Sequence, residues 1–361
     1  MSIDFRSVDA LPADRRLSTL VRDGSEEVAV PLRGVARLLA AHHATAKRSA
    51  AIDSQGTAAA LRRRWTENLD ALQEFRDTVV DADDLDEIQH RALRYIDGRH
   101  PLLRSRIAAG RIRNGHGDLF ADDIFCLPDG PRVLDCLEFD DDLRSVDGLD
   151  DAACLAMDLE RLGAQTLAER FLDWFIEFSA DLRVDSLVHH YVAYRAVVRL
   201  KVACLRWAQG DDRSADTAEL LTDLALAHLR LGEPRMILVG GSPGTGKSTV
   251  AAGLAQRLGA VLVGSEATDD DLITRAVTAL GQGESVVLDA SWSSAQMRDR
   301  ARQAAIGASA TVAELRCCAP AGVIDAPMER GFEPWPEAID LHTTETPHQA
   351  LERAVRMAVL G

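Results

Sequence analysis

Residues 241–248 combine the types and the spacing that phosphate chemistry needs. Gly241-Ser242-Pro243-Gly244-Thr245-Gly246-Lys247-Ser248 fits the pattern G-x-x-x-x-G-K-[ST], the Walker A phosphate-binding loop. Glycines let successive backbone N–H groups turn inward and form a concavity for an anion. A helix that starts at the loop adds the positive end of its dipole. Lys247 would reach the β- and γ-phosphates of a nucleoside triphosphate, and Ser248 would ligate magnesium. Thr249 closes the candidate binding set. Lys47, Lys201 and Lys247 are the only lysines in the chain, which otherwise carries its positive charge on arginine. A lysine at this position is therefore a selective use of the residue.

Such a loop has to be held between a strand and a helix, and both are legible. Met236–Val239 is an apolar run of strand length, and Thr249–Leu258 is amphipathic with helical spacing. Beyond the loop the pattern alternates. Strands are expected at 235–239, 260–264, 285–289, 311–317 and 337–342. Helices are expected at 247–258, 269–282, 294–307 and 347–359. Alternation of this kind builds a parallel sheet with helices on both faces and places ligands outside the C-terminal strand ends. Asp289 ends one expected strand in Ser285-Val286-Val287-Leu288-Asp289. It can hold the magnesium shell, orient an acceptor hydroxyl, or simply cap the helix that begins near Ser293.

The rest of the chain is organised differently. Residues 1–24 are mixed and expected to be extended. Helical spacing runs from 30 to 110 and again over 151–163, 165–180, 184–209 and 215–231. Between these blocks, Gly115-His116-Gly117 breaks the helices. The β runs 123–127 and 132–137 flank Pro128-Asp129-Gly130 as a hairpin. Leu231-Gly232-Glu233-Pro234 reads as a helix stop and linker. The expected fold is thus α/β overall, with a mostly helical domain at 1–231 carrying a short hairpin, followed by a nucleotide-binding domain at 235–361.

Composition limits the partners. A net charge of −16 in 361 residues argues against a nucleic-acid surface. No apolar run is long enough to span a bilayer, and the first six residues lack the features of a signal peptide. The six cysteines show no C-x-x-C spacing and sit in apolar stretches, as buried reduced thiols do. A cytoplasmic location without nucleic-acid or membrane partners is expected.

A second constellation lies in His116-Gly117-Asp118-Leu119-Phe120-Ala121-Asp122-Asp123. It matches a kinase catalytic loop, H-x-D-x-x-x-x-N, with Asp118 at the place of the catalytic base and Asp123 at that of the metal-binding Asn. Asp135, at the end of the second β run, stands where kinases place their main magnesium-binding Asp. A hairpin between Asp123 and Asp135 can fold both carboxylates back toward one metal ion.

His-Gly-Asp-Leu at 116–119 and Val-Leu-Asp-Cys-Leu-Glu-Phe-Asp-Asp at 133–141 resemble the aminoglycoside phosphotransferase family, and within it a bacterial group in which such a domain precedes a P-loop domain. The resemblance extends from Leu11-Pro12-Ala13-Asp14-Arg15 through Leu155-Ala156-Met157-Asp158-Leu159-Glu160 to Glu333-Pro334-Trp335-Pro336. It implies a kinase large lobe at 1–231 and a C-terminal half similar to small-molecule and adenylate-type kinases.

The departures bear on activity. The family's small β-rich lobe, with its nucleotide lysine, has no counterpart in the helical pattern of 1–110. Asp123 replaces Asn, and Phe120 replaces a frequent His. The first site then reads as a retained scaffold with a relict acidic loop, as a metal or small-ligand pocket, or as an active phosphotransferase. In the second domain, the substrate segment expected at Ser265-Glu266 is short. The lid, whose arginines would stabilise the transferred phosphoryl group, is reduced to Ala321–Gly331 with Arg330. Arg316 and Arg298 are the other nearby candidates. Two functions follow. One is an ATP- and Mg2+-dependent phosphotransferase acting on a small molecule through Lys247, Ser248 and Asp289. The other is a nucleotide-binding regulatory protein with little turnover.

Overall fold

The computed structural model describes residues 11–136, 141–264, 268–318, 332–342 and 347–360. Two compact units divide the chain. One comprises Met1–Ile96 and Leu103–Gly232; the other comprises Asp97–Leu102 and Glu233–Gly361. The short segment Asp97–Leu102 thus belongs with the C-terminal residues, a feature no linker signal in the sequence betrays.

The first unit is helical. It begins with α1 (Leu17–Arg22), α2 (Ala29–Thr45), α3 (Ala50–Ser54), α4 (Ala58–Leu72), α5 (Ala82–Gly98) and α6 (His100–Ala108). Three short strands follow, β1 (Ile112–Asn114), β2 (Ile124–Leu127) and β3 (Gly130–Val133), then α7 (Asp141–Arg144) and β4 (Ser145–Asp147). It closes with α8 (Gly148–Arg161), α9 (Gln165–Ser179), α10 (Asp185–Ala208) and α11 (Ser214–Leu231). α1 corrects the extended reading of the N-terminal segment: Leu17 is fully buried and pins that turn of helix. β2 and β3 form the expected hairpin, with Leu127 opposite Gly130 and Ile124 opposite Val133. The second strand therefore starts two residues earlier than expected and stops at Val133, so Asp135 does not end a strand. β1 and β4 pair as a second antiparallel ribbon, with Asn114 opposite Ser145.

α8 is the axis of this unit. Every residue from Gly148 to Leu159 is buried, three aspartates among them. A helix buried on all sides is expected to be apolar. Here each buried carboxylate must find a donor, because an unpaired one would be too costly to keep.

The second unit holds β5 (Arg235–Gly240), α12 (Lys247–Leu258), β6 (Val261–Val263), α13 (Asp269–Gly281), β7 (Val286–Asp289), α14 (Ala295–Gly307), β8 (Thr311–Cys318), β9 (Ile339–His342) and α15 (Pro347–Leu360). The strands form one parallel sheet in the order β6-β7-β5-β8-β9. β5 is central and apolar on both faces because alternate residues point to opposite sides. Met236 and Leu238 enter a core with Leu272, Ala276 and Ala301 of α13 and α14. Ile237 and Val239 enter a second core with Val250, Leu254 and Ala354 of α12 and α15. The helices that follow β5 and β7 therefore leave toward opposite faces of the sheet. That divergence opens a crevice at the C-terminal ends of these two neighbouring strands, where α/β sheets bind ligands.

Candidate nucleotide site

The loop between β5 and α12 occupies that crevice. Gly241, Gly244 and Gly246 have φ of +136°, +83° and +82°. The left-handed region is open to glycine at little cost and strained for other residues. Gly241 is doubly constrained: a Cβ there would lie 2.5 Å from the Cys317 carbonyl oxygen of β8. Gly246 precedes the first residue of α12, so the N–H groups of its first turn, from Lys247 on, have no intrahelical acceptor and face the loop end. The loop is braced from within. The Thr245 hydroxyl, buried, donates to the Ser242 carbonyl at 2.9 Å, and the Gly241 N–H donates to the Ser291 carbonyl at 3.3 Å. Pro243, Gly244, Ser248 and Thr249 are exposed, and Lys247 is half-buried. The loop thus presents free donors and a cation to solvent while its fold is fixed from below.

Asp289 stands beside it. It ends β7 opposite Val239 of β5, is 8% exposed, and its Oδ1 has no hydrogen-bond partner. A buried carboxylate oxygen left without a donor is the kind of group a cation satisfies. Asp289 and the hydroxyl of Ser248 therefore fit a magnesium ion chemically. Among the described residues no cluster of three or more His, Cys, Asp or Glu side chains could hold a metal by itself. A metal here would complete its shell with phosphate oxygens and water, as magnesium commonly does. The Cys317 thiol senses the same neighbourhood. Burial pushes it up to about 12, with the Cys318 and Asp289 charges acting the same way and Lys247 opposing. It is no nucleophile at neutral pH.

A rigid plug supports the crevice, and sequence reasoning overlooked it. Trp292 and Trp335 are buried against Gly240, where a Cβ would meet Trp335 at 2.4 Å. Arg298 is buried over the Trp335 ring at 5.2 Å. Its guanidinium donates to the Trp292 carbonyl at 2.7 Å and the Pro334 carbonyl at 2.6 Å. Arg298 is thus spent on structure and does not reach toward a phosphoryl group. Arg316 forms a two-bond ion pair with Asp340 at 2.6 and 2.7 Å. Arg330, the reduced lid at 321–331 and the Ser265-Glu266 segment lie outside the described residues.

The kinase-like loop of the first unit is held by the aspartates of α8. Asp151 accepts from the N–H groups of His116 at 2.8 Å and Gly117 at 2.9 Å, and from His43 Nε2 at 2.8 Å. Burial works against its charge, yet the His43 hydrogen bond holds the carboxyl below the ordinary range. Asp150 pairs with Arg195 at 2.7 Å, and Arg195 also donates to the Gly117 carbonyl at 2.6 Å. Asp158 accepts from the Ala121 N–H at 2.9 Å. Helical periodicity cannot announce such groups, because it counts them as polar and places them outside.

This loop brings Asp118, Asp123 and Asp135 within electrostatic reach of one another. Burial raises the Asp118 carboxyl, and Asp135 adds to the effect while Arg195 and Arg199 oppose it. Asp123 rises to about 6, first through burial and then through Asp135 and Asp118. Asp135 adopts a left-handed φ of +57°. Mutual repulsion of this kind marks a site that would welcome a cation or a proton. Together with His116, however, these carboxylates do not form a three-ligand group that could hold a metal. Within the described residues ahead of Asp118, β1 is the only strand, so the helical reading of 30–110 holds there.

The cysteines are all free. Cys126, Cys154, Cys204 and Cys317 are buried, whereas Cys136 and Cys318 are half-buried. No helix among the described residues is long and apolar enough to cross a membrane.

Comparison with known proteins adds relatives. The chain is 39% identical over 340 residues to the uncharacterized protein Rv2004c of Mycobacterium tuberculosis (strain ATCC 25618 / H37Rv), a match that covers 86% of this chain and 68% of the relative. The uncharacterized protein Mb2027c of Mycobacterium bovis matches to the same extent. No protein-family model matches the chain. Among solved structures, an unliganded sugar kinase from Janibacter sp. HTCC2649 aligns with 34% of this chain and 94% of its own, at 21% identity and a TM-score of 0.29. A gluconokinase from Sinorhizobium meliloti 1021 aligns with 35% and 91%, at 18% identity and a TM-score of 0.27.

Proposed function

We propose, for a chain that belongs to the family of these mycobacterial proteins, that the Gly241–Ser248 loop binds ATP and transfers its γ-phosphoryl group to a hydroxyl of a small molecule. The observation that carries this reading is the loop with its neighbouring strand: three left-handed glycines, the open N-terminus of α12 that Lys247 begins, and at the end of β7 a buried Asp289 whose Oδ1 has no partner. Each part has a task. The backbone N–H groups and Lys247 bind the phosphates and hold the reacting phosphorus in place, which is most of this catalysis. Magnesium, held by Ser248 and Asp289, would neutralise charge on the phosphate oxygens. Asp289 would also orient an acceptor hydroxyl in this reading.

In this reading the helical unit is a retained scaffold related to aminoglycoside phosphotransferases, and Asp118 takes no part in the transfer. Nucleotide binding with little turnover is the competing reading. It is favoured by the commitment of Arg298 and Arg316, the two described arginine candidates, to internal contacts.

The test is turnover of ATP by the purified chain with a pool of sugars, nucleosides and aminoglycosides. Phosphorylated product formed by the wild type and by Asp118→Asn, and lost in Lys247→Ala, is expected. Nucleotide binding that disappears in Lys247→Ala, with no product from any form, would establish the binding role instead. Product lost in Asp118→Asn but retained in Lys247→Ala would move the chemistry to the first unit.

A further inference from the structure

The first unit contains a cavity of about 610 Å3, inside the range of roughly 300–1,000 Å3 usual for small-molecule sites. Its floor is the β1–β4 ribbon, through Asn114 and Ser145, and its walls come from the end of α2, the turn after it, α3 and the end of α7. Three basic side chains line it: His42, Lys47 and Arg144. No described lining residue is acidic. In a chain of net charge −16 this is an unusual concentration, and a cavity lined by one sign of charge focuses the field inside it.

The two cationic groups are hardly spent on internal contacts. Among the described residues Lys47 makes no hydrogen bond or ion pair, and Arg144 makes only a long one, from Nε to the Gly115 carbonyl at 3.4 Å. Asn114 adds a buried amide oxygen with no partner. Its amide can turn to offer the NH2 group instead, since a partner decides which end faces it. His42 is lowered by burial and then by His43, so it offers a neutral imidazole that can donate or accept.

We propose that this cavity binds a small phosphorylated metabolite, a phosphate monoester of sugar-phosphate size. Lys47 and Arg144 take the phosphate by charge-assisted hydrogen bonds. Asn114 faces the polar body of the ligand together with the Ser49 hydroxyl, which accepts from the Ile52 N–H at 3.2 Å and keeps its own proton to donate, and Ile52 covers the carbon skeleton. A free phosphate would leave most of the cavity unfilled. The site is built wholly within the first unit and stands whether or not the loop at 241–248 turns over ATP.

Calorimetry on the full chain tests the assignment, with triose, pentose and hexose phosphates, their unphosphorylated parents and inorganic phosphate as probes. At least one ester should bind, its parent sugar should not, and inorganic phosphate should bind more weakly. Lys47→Ala and Arg144→Ala should each weaken the ester by about tenfold or more, as loss of a charged hydrogen bond does. Lys247→Ala should leave it within about twofold, because that lysine belongs to the other unit. Lys47→Glu, at an exposed position where folding is not at risk, should abolish binding. The assignment fails if no ester binds at millimolar concentration, if inorganic phosphate binds as tightly as the best ester, or if Lys247→Ala removes binding while Lys47→Glu does not.

Discussion

At the scale of single residues, the carboxylates separate into two kinds. Those of α8 are buried and answered by donors, whereas Asp123 is crowded by Asp118 and Asp135 and carries a carboxyl raised to about 6. A carboxyl raised in the folded state binds protons there that the unfolded chain releases. Its contribution to stability is therefore full only below about pH 4 and is lost as pH rises through about 6. Asp123→Asn should stabilise the protein at pH 7.5 by about 1 kcal/mol, a discounted value for a partly exposed group. The gain should vanish at pH 4; paired urea melts at the two pH values would show it. The position of the Gly241–Ser248 loop between a strand and a helix was legible at this scale, because its pattern specifies residue types one by one. His43, Asp151 and Arg195 were not, since nothing local marks a buried charge whose partner lies far along the chain.

Elements were legible where their period had room to repeat. The helices of ten or more residues and the strands of the parallel sheet lie close to their expected ranges. α1 and the β1–β4 ribbon did not stand out, because, unlike the equally short core strands Val261–Val263 and Val286–Asp289, they carry no continuous apolar run between helical patterns. The connections that stiffen the nucleotide crevice were also hidden. Arg298, a phosphoryl-stabilising candidate by sequence, instead ties α14 to the carbonyls of Trp292 and Pro334. Its removal would leave two carbonyls unpaired beneath the sheet end. Arg298→Ala should cost about 3 kcal/mol, at roughly 1–3 kcal/mol for each polar group left without a partner. Denaturant unfolding would measure this loss, and Arg298→Lys should restore only part of it, since an ammonium group cannot span both carbonyls in one plane.

At the scale of the whole molecule, the two units should answer differently to ligand. ATP with magnesium at about a hundred times its dissociation constant should stabilise the native state by about 2.7 kcal/mol. Scanning calorimetry should register this as a raised melting temperature in the wild type and none in Lys247→Ala. The bipartite order of the chain was legible from the change of pattern near Glu233-Pro234. What no pattern disclosed is that Asp97–Leu102 belongs to the second unit. Arg99, wholly buried, donates from that segment to the carbonyls of Ala308 and Ser309, each at 3.1 Å, and to that of Leu280. The second unit is therefore not a cassette. Recombination or cloning that transplants 233–361 leaves behind the guanidinium that seals the ends of α13 and α14. Residues 233–361 taken alone would leave the carbonyls of Leu280, Ala308 and Ser309 without this donor.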